Sequence, residues 1–222
     1  MPTTSVDVLA RLSPAVPAAL AAKAASWPAD REPVAPRLSA SVVLVRQASD
    51  ELEVYLLHRH ARMAFAASMV VFPGGGLDPV DEGADDPIRA CAVRETLEET
   101  GVRLEPAALR DWAHWVTPQV EPRRFDTRFF LGVLPAGQRA RDVSGETERA
   151  AWTTPADALA AAERGEIGLM PPTLSILVEL ADAGTVPELL QRAADRRVLT
   201  VRPRLVRDGD GWRFSYPSAE DA

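Results

Sequence analysis

The sequence predicts a mixed α/β or α+β fold, in which strands and helices alternate irregularly along one chain. Three observations predict this class. Apolar and β-branched runs occur in both halves of the chain, amphipathic segments of helical length separate them, and the sequence contains no internal repeats. The 222 residues, 46% of them hydrophobic, are enough for one compact domain with a substantial core.

Residues 1–37 are predicted to form one or two short helices and then an extended lead-in, because they are rich in alanine and interrupted by prolines. Residues 38–222 are predicted to form a single domain with a C-terminal extension. Two apolar runs at 38–46 and 52–60, separated by the polar QASDE, predict a hairpin of two strands. MVVFPGGGLDP, at 69–79, then predicts a short strand closed by glycines.

The segment from Asp86 to Thr100 has the strongest helical pattern in the chain. Pro87 suits a first helical turn, and Gly101 suits a left-handed cap just past the last turn. At about 100° per residue, apolar side chains gather on one face and carboxylates on the opposite face, outside the core. The apolar face consists of Ala90, Val93 and Leu97. The carboxylate face consists of Glu95, Glu98 and Glu99.

The second half of the chain continues the mixed pattern. Strands are predicted at 111–117 and 127–135, helices at 154–165, 171–184 and 186–197, and a closing hairpin at 199–217. Three tryptophans are expected in the core, namely Trp112, Trp115 and Trp152. The histidines lack zinc-site spacing and are expected to be structural or solvent-facing: His58, His60 and His114.

Composition narrows the functional class. The net charge is −7, the isoelectric point is about 5.1 and the arginines are scattered, so no nucleic-acid footprint is expected. Cys91 is the only cysteine; it is expected to fill space, and its isolation fits a reducing compartment. We find neither an apolar run of membrane-spanning length nor a signal-peptide pattern, so we expect no membrane association and a cytoplasmic location. The oligomeric state is open, with a homodimer as one possibility.

RETLEETG, at 94–101, concentrates three carboxylates on one helical stretch. Glu95 and Glu99 are four residues apart and repel each other by a few tenths of a kcal/mol, roughly, on a bare helix. A divalent cation reverses the sign of that interaction, and oxygen-only ligands favour Mg²⁺ or Mn²⁺. The alternative interpretation of the spacing alone is a solvated acidic face.

Together with FPGGG at 72–76, this helix resembles the signature of the Nudix hydrolases, Gly-x5-Glu-x7-Arg-Glu-U-x-Glu-Glu-x-Gly-U, where U is aliphatic. The match from Arg94 to Val102 is complete except for Thr96 at an aliphatic position. If Gly75 is the first glycine, Asp81 takes the place of the first glutamate, but five extra residues then precede Arg94. The partner of Arg94 is therefore open among four acids: Asp81, Glu82, Asp85 and Asp86.

The wider resemblance covers most of residues 38–180 and is greatest to the coenzyme A diphosphatase branch, because of the elongated motif and the following PPTLSILVEL. It implies a mixed sheet between helices and metal-dependent hydrolysis of a nucleoside diphosphate linked to another group. Coenzyme A or acyl-coenzyme A is the favoured small-molecule substrate. The alternatives are ADP-ribose or another nucleotide conjugate, and an inert binding module, against which the intact acids argue.

The resemblance also implies roles for single residues. Mg²⁺ or Mn²⁺ would be held by Glu98, Glu99, Glu95 and the carbonyl of Gly74, with Glu95 as metal ligand or base. Arg94 would orient the carboxylates. A further catalytic carboxylate is expected at Glu146, with Glu148 as the alternative. Candidate substrate-binding residues are Arg59, Gly75, Arg128 and Phe130, of which Arg128 and Phe130 would share a strand face as phosphate ligand and aromatic wall.

Overall fold

The computed structural model describes residues 15–28, 30–59, 69–143 and 147–216. Within these ranges, nine strands form one mixed sheet and two further strands form a separate hairpin. Helices pack on both faces of the large sheet, as the sequence predicts. No helix in these ranges is both long enough and apolar enough to cross a membrane.

The elements follow one another in this order. The strands are β1 (Arg37–Ala48), β2 (Glu51–Arg59), β3 (Met69–Val71), β4 (Gly74–Gly76), β5 (Arg110–Val116), β6 (Phe125–Val133), β7 (Thr147–Thr153), β8 (Gly168–Leu169), β9 (Thr200–Val201), β10 (Arg204–Asp208) and β11 (Gly211–Ser215). The helices are α1 (Ala18–Ala25), α2 (Pro87–Thr100), α3 (Pro155–Glu163), α4 (Pro171–Ala181) and α5 (Val186–Ala194). Short 3-10 turns lie at Asp81–Gly83 and Pro106–Ala108.

Strand β1 is the centre of the sheet, whose order is β8-β3-β2-β1-β6-β5-β9. It pairs in parallel with β6 along residues 37–45. On its other edge it pairs antiparallel with β2 over residues 45–48 and with β4 over residues 39–41. Since β1 changes partner along this edge, the glycine strand β4 lies against the first half of the central strand.

The alternation of side chains along β1 divides the core into two layers. Ala40, Val42 and Leu44 face α2 and belong to the cluster that contains Cys91 of that helix. Val43 and Val45 face the opposite layer. There they meet apolar side chains of α3, α4 and α5, including Ala158, Ile176, Leu177, Leu180 and Leu189. The segments after residue 171 therefore share the core of the sheet.

Helix α2 begins and ends as its sequence predicts. Asp86 is the N-cap and accepts a hydrogen bond from the backbone N–H of Arg89 at 3.1 Å, and Pro87 occupies the first turn. Gly101 caps the other end with a φ of 71°, and its N–H donates to the carbonyl of Leu97. The helix is thus fixed at both ends, and its side chains have a defined position over β1 and β4.

The predicted faces of α2 are wrong in one respect. Its buried residues are Cys91, Ala92, Thr96, Glu99 and Thr100, whereas Ala90, Val93 and Leu97 are only half-buried. Small side chains contact the sheet, so the helix lies close to β1 and β4, and this proximity buries Glu99 on the glycine strand. The carboxylates consequently span the edge of the core instead of lying wholly outside it.

Most other predicted elements are confirmed. The hairpins β1–β2 and β10–β11 are present, and Trp112 and Trp115 are buried in the core while Trp152 packs against it. His114 is structural, since it bonds Asp126 and Thr200, and His58 is half-buried on β2. The short strands β8 and β9 and the edge strand β7 were not predicted. Residues 1–14 of the lead-in and His60 lie outside the described ranges.

Candidate active site

Each glycine of the strand β4 contacts a charged side chain of helix α2. The backbone N–H of Gly74 donates to Oε2 of Glu99 at 2.8 Å. Gly75 lies directly beneath the Glu95 carboxylate. The carbonyl of Gly76 accepts from Nη2 of Arg94 at 3.1 Å. The consecutive glycines therefore place the backbone of β4 in contact with the acidic side of the helix.

Close approach explains why the first two of these positions are glycine. A Cβ on Gly74 would lie 2.3 Å from the carbonyl oxygen of Ala40, and a Cβ on Gly75 would lie 2.4 Å from the carboxylate carbon of Glu95. Both distances are far inside van der Waals contact. A Cβ on Gly76 would meet nothing nearer than the carbonyl oxygen of Leu38 at 3.9 Å. Backbone therefore excludes a side chain at Gly74, whereas a side chain at Gly75 would have to displace the Glu95 carboxylate, and the third position has no such constraint.

Arg94 holds this region together through all three nitrogens of its guanidinium. Nε and Nη2 donate to the two oxygens of Asp81 at 3.0 and 2.8 Å, which is a bidentate pair. Nη1 donates to Glu95 at 2.9 Å and to Glu98 at 3.2 Å. Together with the bond to Gly76, these contacts make Arg94 the residue that orients two of the three helix carboxylates.

Among the four acids considered as partner of Arg94, the structure selects Asp81. Its side chain is 3% exposed and also accepts a bond from the backbone N–H of Asp78 at 2.9 Å. Residues 82–86 are all exposed, so the five extra residues form a surface bulge between Asp81 and the start of α2. The motif therefore keeps its internal contacts in spite of its greater length.

The pKa values of Asp81 and Glu95 are shifted in opposite directions. Hydrogen bonds from Arg94 hold the pKa of Asp81 below its usual range. Burial raises the pKa of Glu95, and the nearby charges of Glu98 and Asp81 raise it further, although Arg94 opposes them. Glu95 is thus a carboxylate whose anion is stabilised less than in water, a state that favours a bound cation or proton.

The donor set fits a hard divalent cation. Glu95, Glu98 and Glu99 offer carboxylate oxygens from neighbouring turns of one helix, and Glu98 is 57% exposed, so its head group can move. In the ranges that the structure describes, no three acidic, histidine or cysteine side chains already converge as a metal site. Arg94 and the Gly74 N–H instead hold these oxygens, as the preceding contacts specify.

The other predicted site residues differ in whether the structure describes them and in how far they lie from the glycine strand. Arg59 ends β2, but its side chain is outside the described part, as is all of Glu146. Glu148, the alternative acid, is exposed on β7. Arg128 is exposed on β6 and lies level with Ala40, which in turn lies level with Gly75 on the other side of β1. Arg128 is therefore two strands from the glycine under Glu95.

The prediction that Phe130 forms an aromatic wall of the substrate site is wrong. Its side chain is 2% exposed and belongs to the core layer beneath α2. The guanidinium of Arg89 lies 4.8 Å from the centre of its ring. Phe130 does share a face with Arg128, but the layer of core residues covers that part of β6. The sequence also missed the Gly76 carbonyl, because backbone acceptors leave no signature in residue type.

Gly75→Ala is expected to lower kcat by at least about tenfold, because the new methyl group must displace the Glu95 carboxylate. Gly76→Ala is the matched control, since its methyl group would make only an ordinary contact with the carbonyl oxygen of Leu38, and it should keep near-normal turnover. Steady-state kinetics of the two variants with a diphosphate substrate would check this. Equal activities would mean that the position of Glu95 does not matter for turnover.

Known proteins resemble this chain in sequence and in fold. The NUDIX domain model matches residues 35–171. Putative nudix hydrolase 7 of Caenorhabditis elegans is 28% identical over 181 residues, covering 65% of this chain and 60% of the relative. Acyl-coenzyme A diphosphatase NUDT19 of Xenopus laevis is 35% identical over 238 residues, covering 64% and 63%. The chain thus spans less than two thirds of the length of either relative.

A solved structure is similar over a longer share of its own chain. The NUDIX hydrolase from Alicyclobacillus acidocaldarius matches 71% of this chain and 96% of its own chain, with 26% sequence identity and a TM-score of 0.64. The similarity thus extends over most of this chain and nearly all of the solved one.

Proposed function

The chain belongs to the Nudix family, and from that premise we propose that it hydrolyses the diphosphate bridge of a nucleoside diphosphate linked to another group. The proposed catalytic unit runs from residue 38 to 222, because α4 and α5 share the core of the sheet. One observation carries the proposal. Arg94 joins Asp81, Glu95 and Glu98 in a single network against the glycine strand.

Mg²⁺ or Mn²⁺ would be held by Glu95, Glu98, Glu99 and the carbonyl of Gly74. When bound, such an ion neutralises charge on phosphoryl oxygens and acidifies water. The residues of the chain then position the reaction. Arg94 restrains Glu95 and the Gly74 N–H restrains Glu99, so these two carboxylates lose little freedom on binding.

Glu95 is proposed either to bind the metal ion or to act as the general base. As a base it would benefit from its raised pKa, which burial and neighbouring negative charge cause and which increases its affinity for a proton taken from the attacking water. Glu146, or Glu148 in its place, is proposed as the second catalytic carboxylate. Arg59 and Arg128 are proposed to bind substrate phosphate, for which a planar guanidinium is well suited.

The proposed substrate is coenzyme A or an acyl-coenzyme A. Hydrolysis would give adenosine 3′,5′-bisphosphate and phosphopantetheine or its acyl derivative. Support comes from the elongated motif, whose extra residues form the surface bulge at 82–86, and from the frog relative named as an acyl-coenzyme A diphosphatase. ADP-ribose is the second candidate, because the diphosphate site itself does not distinguish what is attached to it.

A screen of four substrates with Mg²⁺ tests the proposal: coenzyme A, an acyl-coenzyme A, ADP-ribose and NADH, each with identification of both products. Release of adenosine 3′,5′-bisphosphate would support the coenzyme A assignment. Release of AMP from ADP-ribose with no cleavage of coenzyme A would favour the second candidate. A pure, folded protein that cleaves none of them in Mg²⁺ or Mn²⁺ would contradict the proposed reaction and favour a binding role.

A further inference from the structure

A continuous row of residues crosses the sheet from the candidate active site to the far edge. The register places Gly75 of β4 level with Ala40 of β1, and Ala40 level with Arg128 of β6. Arg128 is level with His114 of β5, and His114 with Thr200 of β9. Five strands therefore present one residue each at the same height.

The side chains of this row point to the face that carries α2. Ala40 belongs to the core layer beneath that helix, and residues level with one another share a face. Their neighbours along the strands, Trp115, Phe129 and Val201, belong to the opposite layer. Arg128 and His114 are consequently on the same side of the sheet as the Glu95 carboxylate that covers Gly75.

The distance between Gly75 and Arg128 suits a substrate whose attached group extends beyond its diphosphate. Two strand spacings of about 4.8 Å separate Gly75 from Arg128, which gives roughly 10 Å between their backbones. One further strand leads to His114. A group attached to a diphosphate that lies at the carboxylates of α2 would therefore extend along this row.

The row has both fixed and free polar groups. Both ring nitrogens of His114 are hydrogen-bonded. Nε2 lies 2.5 Å from Asp126 Oδ1, and Nδ1 lies 2.7 Å from Thr200 Oγ1. Asp126 lies two residues before Arg128, so it is on the same face, and its side chain is 22% exposed. Within the described ranges, its second oxygen and the exposed Arg128 guanidinium have no hydrogen-bond or ion-pair partner. Leu38, level with Asp126, is 47% exposed.

Resting on the proposed function, we propose that this surface, formed by Leu38, His114, Asp126 and Arg128, binds the phosphorylated ribose of the nucleotide. Arg128 takes a phosphate, and Asp126, held in place by His114, accepts hydrogen bonds from ribose hydroxyl groups. Two residues along a strand separate the anion-binding group from the acceptor by about 7 Å. Leu38 supplies an apolar contact for the sugar or base. Asp126 is thereby a specificity residue, and His114 a positioning residue.

The chemistry favours a ribose over an uncharged chain. A carboxylate accepts two neighbouring hydroxyl donors at once, and a free guanidinium binds phosphate through paired N–H groups. An aliphatic chain would leave both charges desolvated without partners, which is unfavourable. The surface therefore selects nucleotides among the possible diphosphate compounds.

The test compares the binding of three probes to the whole chain with Mg²⁺: ADP, 2′,3′-dideoxy-ADP and pyrophosphate. The wild type should bind ADP about tenfold more tightly than the dideoxy compound, as expected for hydrogen bonds to a charged acceptor. Asp126→Ala should reduce that preference to about twofold or less and leave pyrophosphate binding unchanged. Arg128→Gln should weaken ADP and dideoxy-ADP by similar factors, so the preference remains.

Glu53→Ala is the matched control. Glu53 lies on β2, is 20% exposed and pairs with Arg46 at the opposite end of β1 from the proposed surface, so its loss should leave the tenfold preference intact. A wild type that binds pyrophosphate but does not distinguish the two nucleotides would overturn the inference while leaving the proposed function in place. The wild-type comparison alone gives this result, so it does not depend on whether any variant folds. An Asp126→Ala protein that keeps the preference would overturn it equally, and a wild type that binds no probe would contradict both proposals.

Discussion

Glu98→Gln is expected to lower kcat by at least ~10²-fold while the free energy of unfolding changes by less than about 0.5 kcal/mol. The two effects separate because Glu98 is 57% exposed and its bond to Arg94 is long at 3.2 Å. Loss of its charge removes a proposed metal ligand without opening a cavity. Turnover, Mn²⁺ titration and chemical denaturation on the same preparation would measure kcat, metal affinity and the free energy of unfolding.

Glu99→Gln should lose activity to a similar extent, but it should also destabilise the protein, by about 1 kcal/mol. Glu99 is 7% exposed and accepts the Gly74 N–H, so its carboxylate also fastens α2 to the glycine strand. Near-normal turnover in both variants would exclude the metal assignment. Loss of folding in the exposed Glu98 variant would point to a structural role instead.

Arg94→Met is expected to destabilise the protein by about 3–5 kcal/mol at neutral pH, the scale for leaving a buried charge without its partner. The side chain of Asp81 is 3% exposed, and Arg94 bonds both of its oxygens. Arg89→Met is the matched control. Arg89 has the same 21% exposure, but the carboxylates it pairs with are exposed, so about 1–2 kcal/mol is expected there.

The destabilisation by Arg94→Met should shrink as the pH falls. Arg94 holds the pKa of Asp81 below its usual value, so the pair contributes its full stability above the unfolded pKa of about 3.9. That contribution is lost as the pH falls through the lower pKa of the folded state. Denaturation curves at several pH values, with a chelator present, would check this. A difference that is constant from pH 7 to pH 3 would mean that the Asp81 charge is not its source.

Local rules predicted the elements that depend on neighbouring residues. Pro87 and Gly101 bound α2 as expected, because the first turn needs no N–H from proline and the cap needs a left-handed φ. The carboxylate partner of Arg94 was narrowed to four acids and no further. Choosing Asp81 required knowing that the five later residues bulge outward, which depends on the packing of the whole loop.

The sequence could not predict how deeply each side chain is buried. Alternation along β6 correctly put Phe130 and Arg128 on one face, yet one is buried and the other exposed, because α2 and its flanking loops cover only part of that face. In the same way, the helical pattern put Glu99 with its neighbouring acids, but did not show that small residues bring α2 close to β4. Such differences arise from contacts between distant segments, which residue spacing does not record.

The packing of Cys91 gives the chain a natural reporter of local opening. It is the only thiol among 222 residues, it is fully buried between α2 and the sheet, and burial raises its pKa to about 12. Alkylating reagents attack the thiolate, so they can reach this sulfur only when the helix lifts from the glycine strand. The rate of native-state alkylation therefore measures, without any label or substitution, how often the helix that carries the proposed catalytic acids detaches.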